Sequence, residues 1–156
     1  MLLTDCFQTA YVTRDLDRTV ELMKTRYGIE DFLLIDPEID VLTPEGMRHS
    51  RCRAAMGWAD DKHMFEIIQP LPGATVDIYS EYLPDDDSPR FHHIAVRTFD
   101  WEQTHRQVRA EGWSIAVEHH MPEGLNFMYV DCRATLGHYV EYIWATPEMW
   151  AFTGGK

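Results

Sequence analysis

The 156-residue sequence lacks positive charge: 14 Lys and Arg stand against 26 Asp and Glu, so its net charge at pH 7 is -12. Nucleic acids and anionic membrane surfaces attract basic surfaces, so we expect neither as a partner. The sequence also lacks an apolar run of about 20 residues and a secretory leader pattern, which predicts no membrane span. Its three cysteines are odd in number and show no CxxC spacing. This favours a reduced, cytoplasmic protein over a disulfide framework.

What the sequence does contain is a repeated pattern. Residues 8–15 (QTAYVTRD) and 93–100 (HIAVRTFD) align position by position, and each stretch predicts a strand that runs into a helix. The helical patterns end at glycines, Gly28 in the first copy and Gly112 in the second. Both copies also close alike, with HMFEII at 63–68 and HYVEYI at 138–143. We interpret this as an internal duplication.

The predicted fold is α+β, in a single domain spanning residues 1–156. Two βαβββ modules, at about 5–69 and 91–145, are joined by the proline-rich, acidic linker 70–90. The modules are predicted to form a concave, eight-stranded mixed sheet with the helices on its outer face. Loops are predicted at 36–46 and 119–125, and a partly frayed tail at 145–156.

Four polar side chains occupy equivalent places in the two copies: Gln8, Glu66, His93 and Glu141. Strand alternation puts them on the concave face, whereas His92 is predicted to point the opposite way. Two carboxylates about 4 Å apart repel by roughly 4 kcal/mol at an effective dielectric near 20, and a divalent cation between them removes that cost. The mixed nitrogen and oxygen set suits Zn, Ni, Fe, Mn or Co. The sequence therefore predicts a divalent metal site.

The neighbours of these four residues predict a pocket for a small-molecule substrate. Apolar side chains flank them on the same face: Met64, Ile68, Tyr139 and Ile143. The polar segment 131–137 carries Arg133, which is suited to bind a substrate carboxylate, with an ordinary turn as the alternative. A carboxylate beside a metal can also move a proton.

The paired modules, the Gln/Glu/His/Glu positions and the FHHIAV stretch resemble the vicinal oxygen chelate superfamily over about residues 5–145. That superfamily includes glyoxalase I, methylmalonyl-CoA epimerase, extradiol dioxygenases, and bleomycin and fosfomycin resistance proteins. FHHIAV and VEYI are most similar to the epimerase and glyoxalase branches. The resemblance implies that Gln8, Glu66, His93 and Glu141 are metal ligands, with zinc favoured. It also implies that Glu141 and Glu66 act as acid or base, and that the chain forms a homodimer.

These observations predict a metal-dependent isomerase, epimerase or lyase that forms an enolate on a small oxygenated substrate. One alternative is a non-haem Fe(II) dioxygenase-like enzyme, and another is a metal-free binding or resistance protein. Glyoxalases that act on glutathione adducts carry an Arg and an Asn four residues past the first two ligands. Val12 and Pro70 stand at those places here, which argues against a glutathione substrate.

Overall fold

The computed structural model describes residues 3–121 and 123–156, which contain nine strands and four α-helices. The strands are β1 Cys6–Val12, β2 Leu33–Ile35, β3 Glu38–Thr43, β4 Gly46–Trp58, β5 Met64–Pro70, β6 Arg90–Arg97, β7 Ile115–Met121, β8 Leu125–Asp131 and β9 Tyr139–Ala145. The helices are α1 Leu16–Tyr27, α2 Trp101–Ala110, α3 Arg133–Leu136 and α4 Pro147–Phe152. No helix in this described part is long and apolar enough to cross a membrane.

All nine strands of the described chain belong to one mixed sheet, in the order β2-β4-β3-β7-β8-β9-β6-β1-β5. The long strand β4 pairs with β3 through its first half and with β5 through its second, so the sheet curls and closes on itself. This confirms the predicted α+β fold with a concave mixed sheet, although it has one strand more than the eight expected.

The two halves of the chain pair their strands in the same way. In the first half β1 runs parallel to β5 and pairs Gln8 with Met64, whereas in the second half β6 runs parallel to β9 and pairs His93 with Tyr139. β1 and β6 then pair antiparallel at the junction of the halves. Residues that align in sequence therefore occupy matching positions in the sheet, which supports the interpretation of an internal duplication.

Both long helices begin directly after the aspartates that end the two aligned stretches, Asp15 and Asp100. The side chain of Asp15 accepts a hydrogen bond from the backbone N–H of Arg18, and Asp100 accepts one from Gln103. Such a cap contributes about 1 kcal/mol of stability. α1 buries Leu16, Val20 and Met23 against the outer face of β4 and β5, and α2 covers the matching face in the second half, so the helices leave the concave face free.

The predicted loop at 36–46 is wrong, because β3 fills most of it. Val41 and Thr43 are buried, whereas Glu38, Asp40 and Leu42 alternate with them on the exposed side. The alternation from Glu38 to Val41 is the signal of this strand, but Pro37 and Pro44, which lie directly outside it, favoured a loop. The loop predicted at 119–125 is shorter than expected, because β7 continues to Met121 and β8 begins at Leu125; Pro122 within that loop lies outside the described residues.

The tail predicted to be frayed instead carries the helix α4. The Thr146 hydroxyl accepts a hydrogen bond from the backbone N–H of Met149, and Pro147 takes the first helical position, where its missing N–H costs nothing. Trp150 of α4 packs edge-on against Phe7 and Trp58, with ring centroids 4.9 and 5.7 Å apart. This helix closes one end of the concave face.

Candidate metal centre

The four predicted ligands surround two fully buried alanines at the junction of the halves. Ala10 is paired with both Glu66 and His93, and Ala95 with both Gln8 and Glu141. Because directly paired residues share a face, these pairings direct all four side chains to the concave side of the sheet. The alanines leave room between them, so this part of the sheet forms the floor of a cavity.

The ligand atoms converge within hydrogen-bonding distance. Nε2 of His93 lies 3.2 Å from Oε2 of Glu141 and 3.5 Å from Oε2 of Glu66. Nε2 of Gln8 donates to Oε2 of Glu66 at 2.6 Å. One ligand atom from each of Glu66, His93 and Glu141 lies within 4.8 Å of the other two. A half-turn of the Gln8 amide would present its oxygen instead, so all four residues can face one cation.

The electrostatics of the cluster fit a cation. Burial raises the pKa of Glu66 and Glu141 well above their ordinary value, and the charge of Glu141 raises that of Glu66 further. Burial also lowers the pKa of His93 to about 3, so its imidazole is neutral. The cluster thus holds the buried Glu141 and the largely buried Glu66, and no Lys or Arg of the described residues pairs with either carboxylate. A divalent ion is the partner that would favour their charged forms.

The orientation of His92 differs from the prediction. The register between β1 and β6 shifts so that Ala10 pairs with His93 and Tyr11 with Phe91, which leaves His92 as the extra residue of a β-bulge. His92 therefore lies on the same side as His93, where its ring stacks on Tyr139 at 5.2 Å. Its Nδ1 lies 2.8 Å from Nδ1 of His93, and its Nε2 lies 2.9 Å from the backbone oxygen of Ile78.

An apolar cavity of about 270 Å³ opens above this floor. Three of the predicted pocket residues line it: Met64, Ile68 and Ile143. Gln8, Glu66 and Glu141 are also exposed to it, and its lining within the described residues contains no Lys or Arg. The site is therefore mostly apolar, with polar groups gathered at the floor, which is the usual form of a small-molecule site.

Tyr139 and Arg133 were predicted for this pocket but do not line it. Arg133 binds Asp131 and Glu81, and the hydroxyl of Tyr139 donates to Glu81 at 3.3 Å. Both side chains thus bind the linker segment that carries Glu81, and neither lines the cavity. Because Glu81, the partner common to both side chains, lies in the linker, strand alternation alone could not reveal this arrangement.

Several lining residues were missed by the sequence prediction. Tyr129 of β8 lies in the cavity beside Glu141, and a hydrogen bond from its phenol opposes part of the rise in the pKa of Glu141. Tyr79 donates a hydrogen bond to the Tyr129 hydroxyl at 3.2 Å. The alternation of Phe127 and Tyr129 is a signal that could have identified β8 as a cavity wall. Tyr79 lies in the irregular linker, where no periodic pattern marks it.

Comparison with known proteins agrees with this architecture. Residues 7–130 match the Glyoxalase/Bleomycin resistance protein/Dioxygenase superfamily. A methylmalonyl-CoA epimerase from Mycobacterium tuberculosis is 17% identical, with 97% of each chain covered and a TM-score of 0.66. A Streptomyces coelicolor methylmalonyl-CoA epimerase in complex with 2-nitronate-propionyl-CoA is 18% identical, with 90% of this chain and 96% of that chain covered and a TM-score of 0.63. These structures share the fold, and no curated protein matches in sequence.

Proposed function

Because the chain belongs to the Glyoxalase/Bleomycin resistance protein/Dioxygenase superfamily, we propose that it is a metal-dependent isomerase, epimerase or lyase. The proposed reaction moves a proton next to a carbonyl and passes through an enolate of a small oxygenated substrate. One observation carries this proposal: two buried carboxylates and an imidazole nitrogen converge on the floor of an apolar cavity. Fold neighbours that are methylmalonyl-CoA epimerases support the same class of chemistry.

The proposed ligands of the metal are Gln8, Glu66, His93 and Glu141. A bound divalent cation would polarise the substrate oxygens and stabilise the negative charge of an enolate. Zinc suits an imidazole with carboxylates, and Ni, Co, Mn or Fe would accept the same donors. The buried carboxylates hold the cation's charge inside the protein, and Gln8 adds a neutral oxygen without adding a third negative charge.

Glu141 is the proposed acid and base. Its carboxyl faces the cavity, and burial raises its pKa toward neutrality, the range in which one group can both accept and return a proton. Glu66, which has a carboxylate oxygen within 4.8 Å of one of Glu141, also lines the cavity and is the second candidate for the same role. Tyr129 adjusts the acidity of Glu141 through its phenol.

The cavity walls define the kind of substrate proposed. Since no Lys or Arg of the described chain lines the cavity, nothing there would neutralise a phosphate or a second carboxylate. The part of the substrate that enters is therefore proposed to be uncharged and apolar, apart from the oxygens that face the floor. The aromatic side chains of α4 and β8 would exclude water around it.

Elemental analysis of untagged, unchelated protein tests this proposal. Wild-type protein should contain Zn, Ni, Co or Mn, and Glu141→Gln should lose the metal bound at the cavity floor. Glu38→Gln is the matched control, because it removes an exposed carboxylate from β3 and should leave the metal content unchanged. Metal-loaded protein should also exchange a carbon-bound proton of small hydroxycarbonyl compounds in D₂O, measured by NMR, and Glu141→Gln should not.

Other outcomes would point to the alternatives. Iron as the dominant metal, with oxygen consumption that depends on it, would replace the proposal with oxygenase chemistry. No metal at the cavity floor even after reconstitution, with ligand affinity unchanged in Glu66→Gln and Glu141→Gln, would indicate a metal-free binding protein.

A further inference from the structure

A second group of metal-binding side chains lies on the outer face of the sheet. It consists of His105 on α2 and of Glu118 and His120 on β7, whose ligand atoms all lie within 4.8 Å of one another. Oε2 of Glu118 lies 2.8 Å from Nε2 of His105 and 3.7 Å from Nε2 of His120. We propose that this cluster, which we call the outer triad, binds a divalent cation of the Zn, Ni, Co or Cu type.

The spacing of the outer triad suits such an ion. Two ligands at about 2.0 to 2.1 Å from a tetrahedral zinc lie roughly 3.3 Å apart, and the two measured separations bracket that value. Two imidazoles and one carboxylate are a common ligand set for these metals. His120 is half-exposed, so the remaining coordination positions would face solvent.

The carboxylate at the centre of the outer triad, that of Glu118, is buried and is held by a neighbouring arginine. Glu118 is only 4% exposed, and an isolated charge there would be costly. Nη2 of Arg109 donates to Oε1 of Glu118 at 3.3 Å, and Nε of the same guanidinium lies 3.4 Å from Nε2 of His105. Arg109 thus holds Oε1 of the carboxylate in place, as groups that support a metal ligand do, while Oε2 faces the two imidazoles. A bound cation would displace Nε of Arg109 from beside His105.

Packing also orders the two imidazoles. The ring of Trp101, which is buried, lies 5.9 Å from the ring of His105 and 5.3 Å from that of His120. It forms an apolar wall beside both ligands. A cation held by the three residues would join α2 to β7, so its effect is to fasten a helix to the sheet.

The outer triad is separate from the cavity. β7 alternates its side chains, so His119, between Glu118 and His120, lies on the other face and lines the cavity. The two proposed metal centres therefore lie on opposite sides of the sheet and share no ligand. Loss of one should leave the other intact, and each can fail independently of the other.

Metal titration of untagged, chelator-treated protein tests the outer triad, with Zn²⁺ against a colorimetric competitor. Glu141→Gln should still bind about one equivalent and should gain thermal stability on adding Zn²⁺. The variant carrying both Glu141→Gln and His120→Ala should do neither. The matched control is the double variant with Glu141→Gln and His49→Ala. His49 is also a partly exposed strand histidine with carboxylates at 3.3 Å, so removing it should change nothing.

Two results would overturn the outer triad. The first is that the Glu141→Gln variant binds no Zn²⁺. The second is that the double variant, with Glu141→Gln and His120→Ala, still binds Zn²⁺. A different result is expected if only the cavity floor fails to bind metal. Wild type would then bind one equivalent of Zn²⁺, which His120→Ala would abolish and Glu141→Gln would leave unchanged. Circular dichroism of each metal-free variant controls for folding, and His120 is exposed enough to be replaced without opening the core.

Discussion

The Nδ1 atoms of His92 and His93 lie 2.8 Å apart, so one ring donates a proton to the other. Burial lowers the pKa of both imidazoles to about 3, so both are neutral and each carries one N–H. Nε2 of His92 faces the carbonyl oxygen of Ile78, which can only accept, and so His92 carries its hydrogen there. His93 must then donate from Nδ1. Nε2 of His93, which faces Glu66 and Glu141, therefore carries no hydrogen. This is the tautomer that a metal ligand requires.

We predict that His92→Phe weakens metal binding at the cavity floor. Phenylalanine keeps the ring but removes the acceptor for the Nδ1–H of His93, so His93 is free to adopt the other tautomer. Loss of such a supporting group typically costs about 10- to 100-fold in metal affinity. Competition with a chelating indicator measures the change.

The control for this prediction is His92→Asn, whose carbonyl oxygen can take the place of Nδ1 as acceptor. It should retain most of the affinity, although it loses the bond to Ile78. Equal losses in both variants would show that His92 acts through packing alone. NMR of the ¹⁵N-labelled, metal-free protein should show His93 protonated at Nδ1 in the wild type.

A second prediction concerns pH. Glu66 and Glu141 have pKa values raised by folding from an ordinary 4.5, so their protonated forms are favoured in the native state. That stabilisation is complete below pH 4.5 and is lost as the pH rises through the folded pKa values, near 8. The metal-free protein should therefore unfold at lower urea concentration at about pH 9 than at about pH 6.

The variant with both Glu66→Gln and Glu141→Gln is the comparison for pH dependence. Its free energy of unfolding should vary less over this range, because the amides do not titrate. Zn²⁺ added to wild type should restore stability at the alkaline end, where the carboxylates are charged. Wild-type and double-variant profiles of the same slope would contradict the assignment.

A third prediction separates the two aromatic residues of α4. Trp150 is buried against Phe7 and Trp58, and the guanidinium of Arg97 lies 3.7 Å from its ring centroid. Trp150→Ala should lower the free energy of unfolding by about 3 to 5 kcal/mol. Phe152 also lines the cavity, but it is 61% exposed, so Phe152→Ala should change stability little and weaken ligand binding. Urea unfolding and a ligand titration distinguish the two, and equal destabilisation would refute this division.

A fourth prediction uses Cys52 as a reporter of the cavity. Burial raises the pKa of its thiol to about 12, and the side chain lies in the cavity wall. Iodoacetamide should therefore modify the exposed Cys6 first and Cys52 slowly, and a ligand in the cavity should slow Cys52 further. Mass spectrometry of timed samples measures both rates. Modification of Cys52 as fast as Cys6 would contradict its burial.

Much of this architecture could be predicted from the sequence because its signals are local. Asp15 and Asp100 mark helix starts through bonds within one turn, and strand alternation identified the residues that share the concave face. The aligned residues Thr13 and Thr98 make matching hydroxyl contacts, Thr13 with Thr19 at 2.8 Å and Thr98 with Thr104 at 2.6 Å.

The remaining features could not be predicted, because they depend on a strand irregularity and on contacts between distant parts of the chain. Neither leaves a mark in the alternation of polar and apolar residues. The bulge at His92 shifts the strand period by one residue, so two consecutive histidines face the same side. Glu81, the partner that Arg133 shares with Tyr139, lies in the linker, about fifty residues earlier in the chain. α4 gains its order from aromatic contacts with β1 and β4, which are distant in sequence.

The proposed metal ligands at the cavity floor come equally from the two halves of the chain. β1 and β5 provide Gln8 and Glu66, and β6 and β9 provide His93 and Glu141. A chain with only one such half would complete the centre only by meeting a second copy of itself, so its metal binding would fall on dilution. Fusion into one polypeptide fixes the effective concentration of each half for the other. It also lets the halves diverge, as the pair Gln8 and His93 has done while both glutamates are kept.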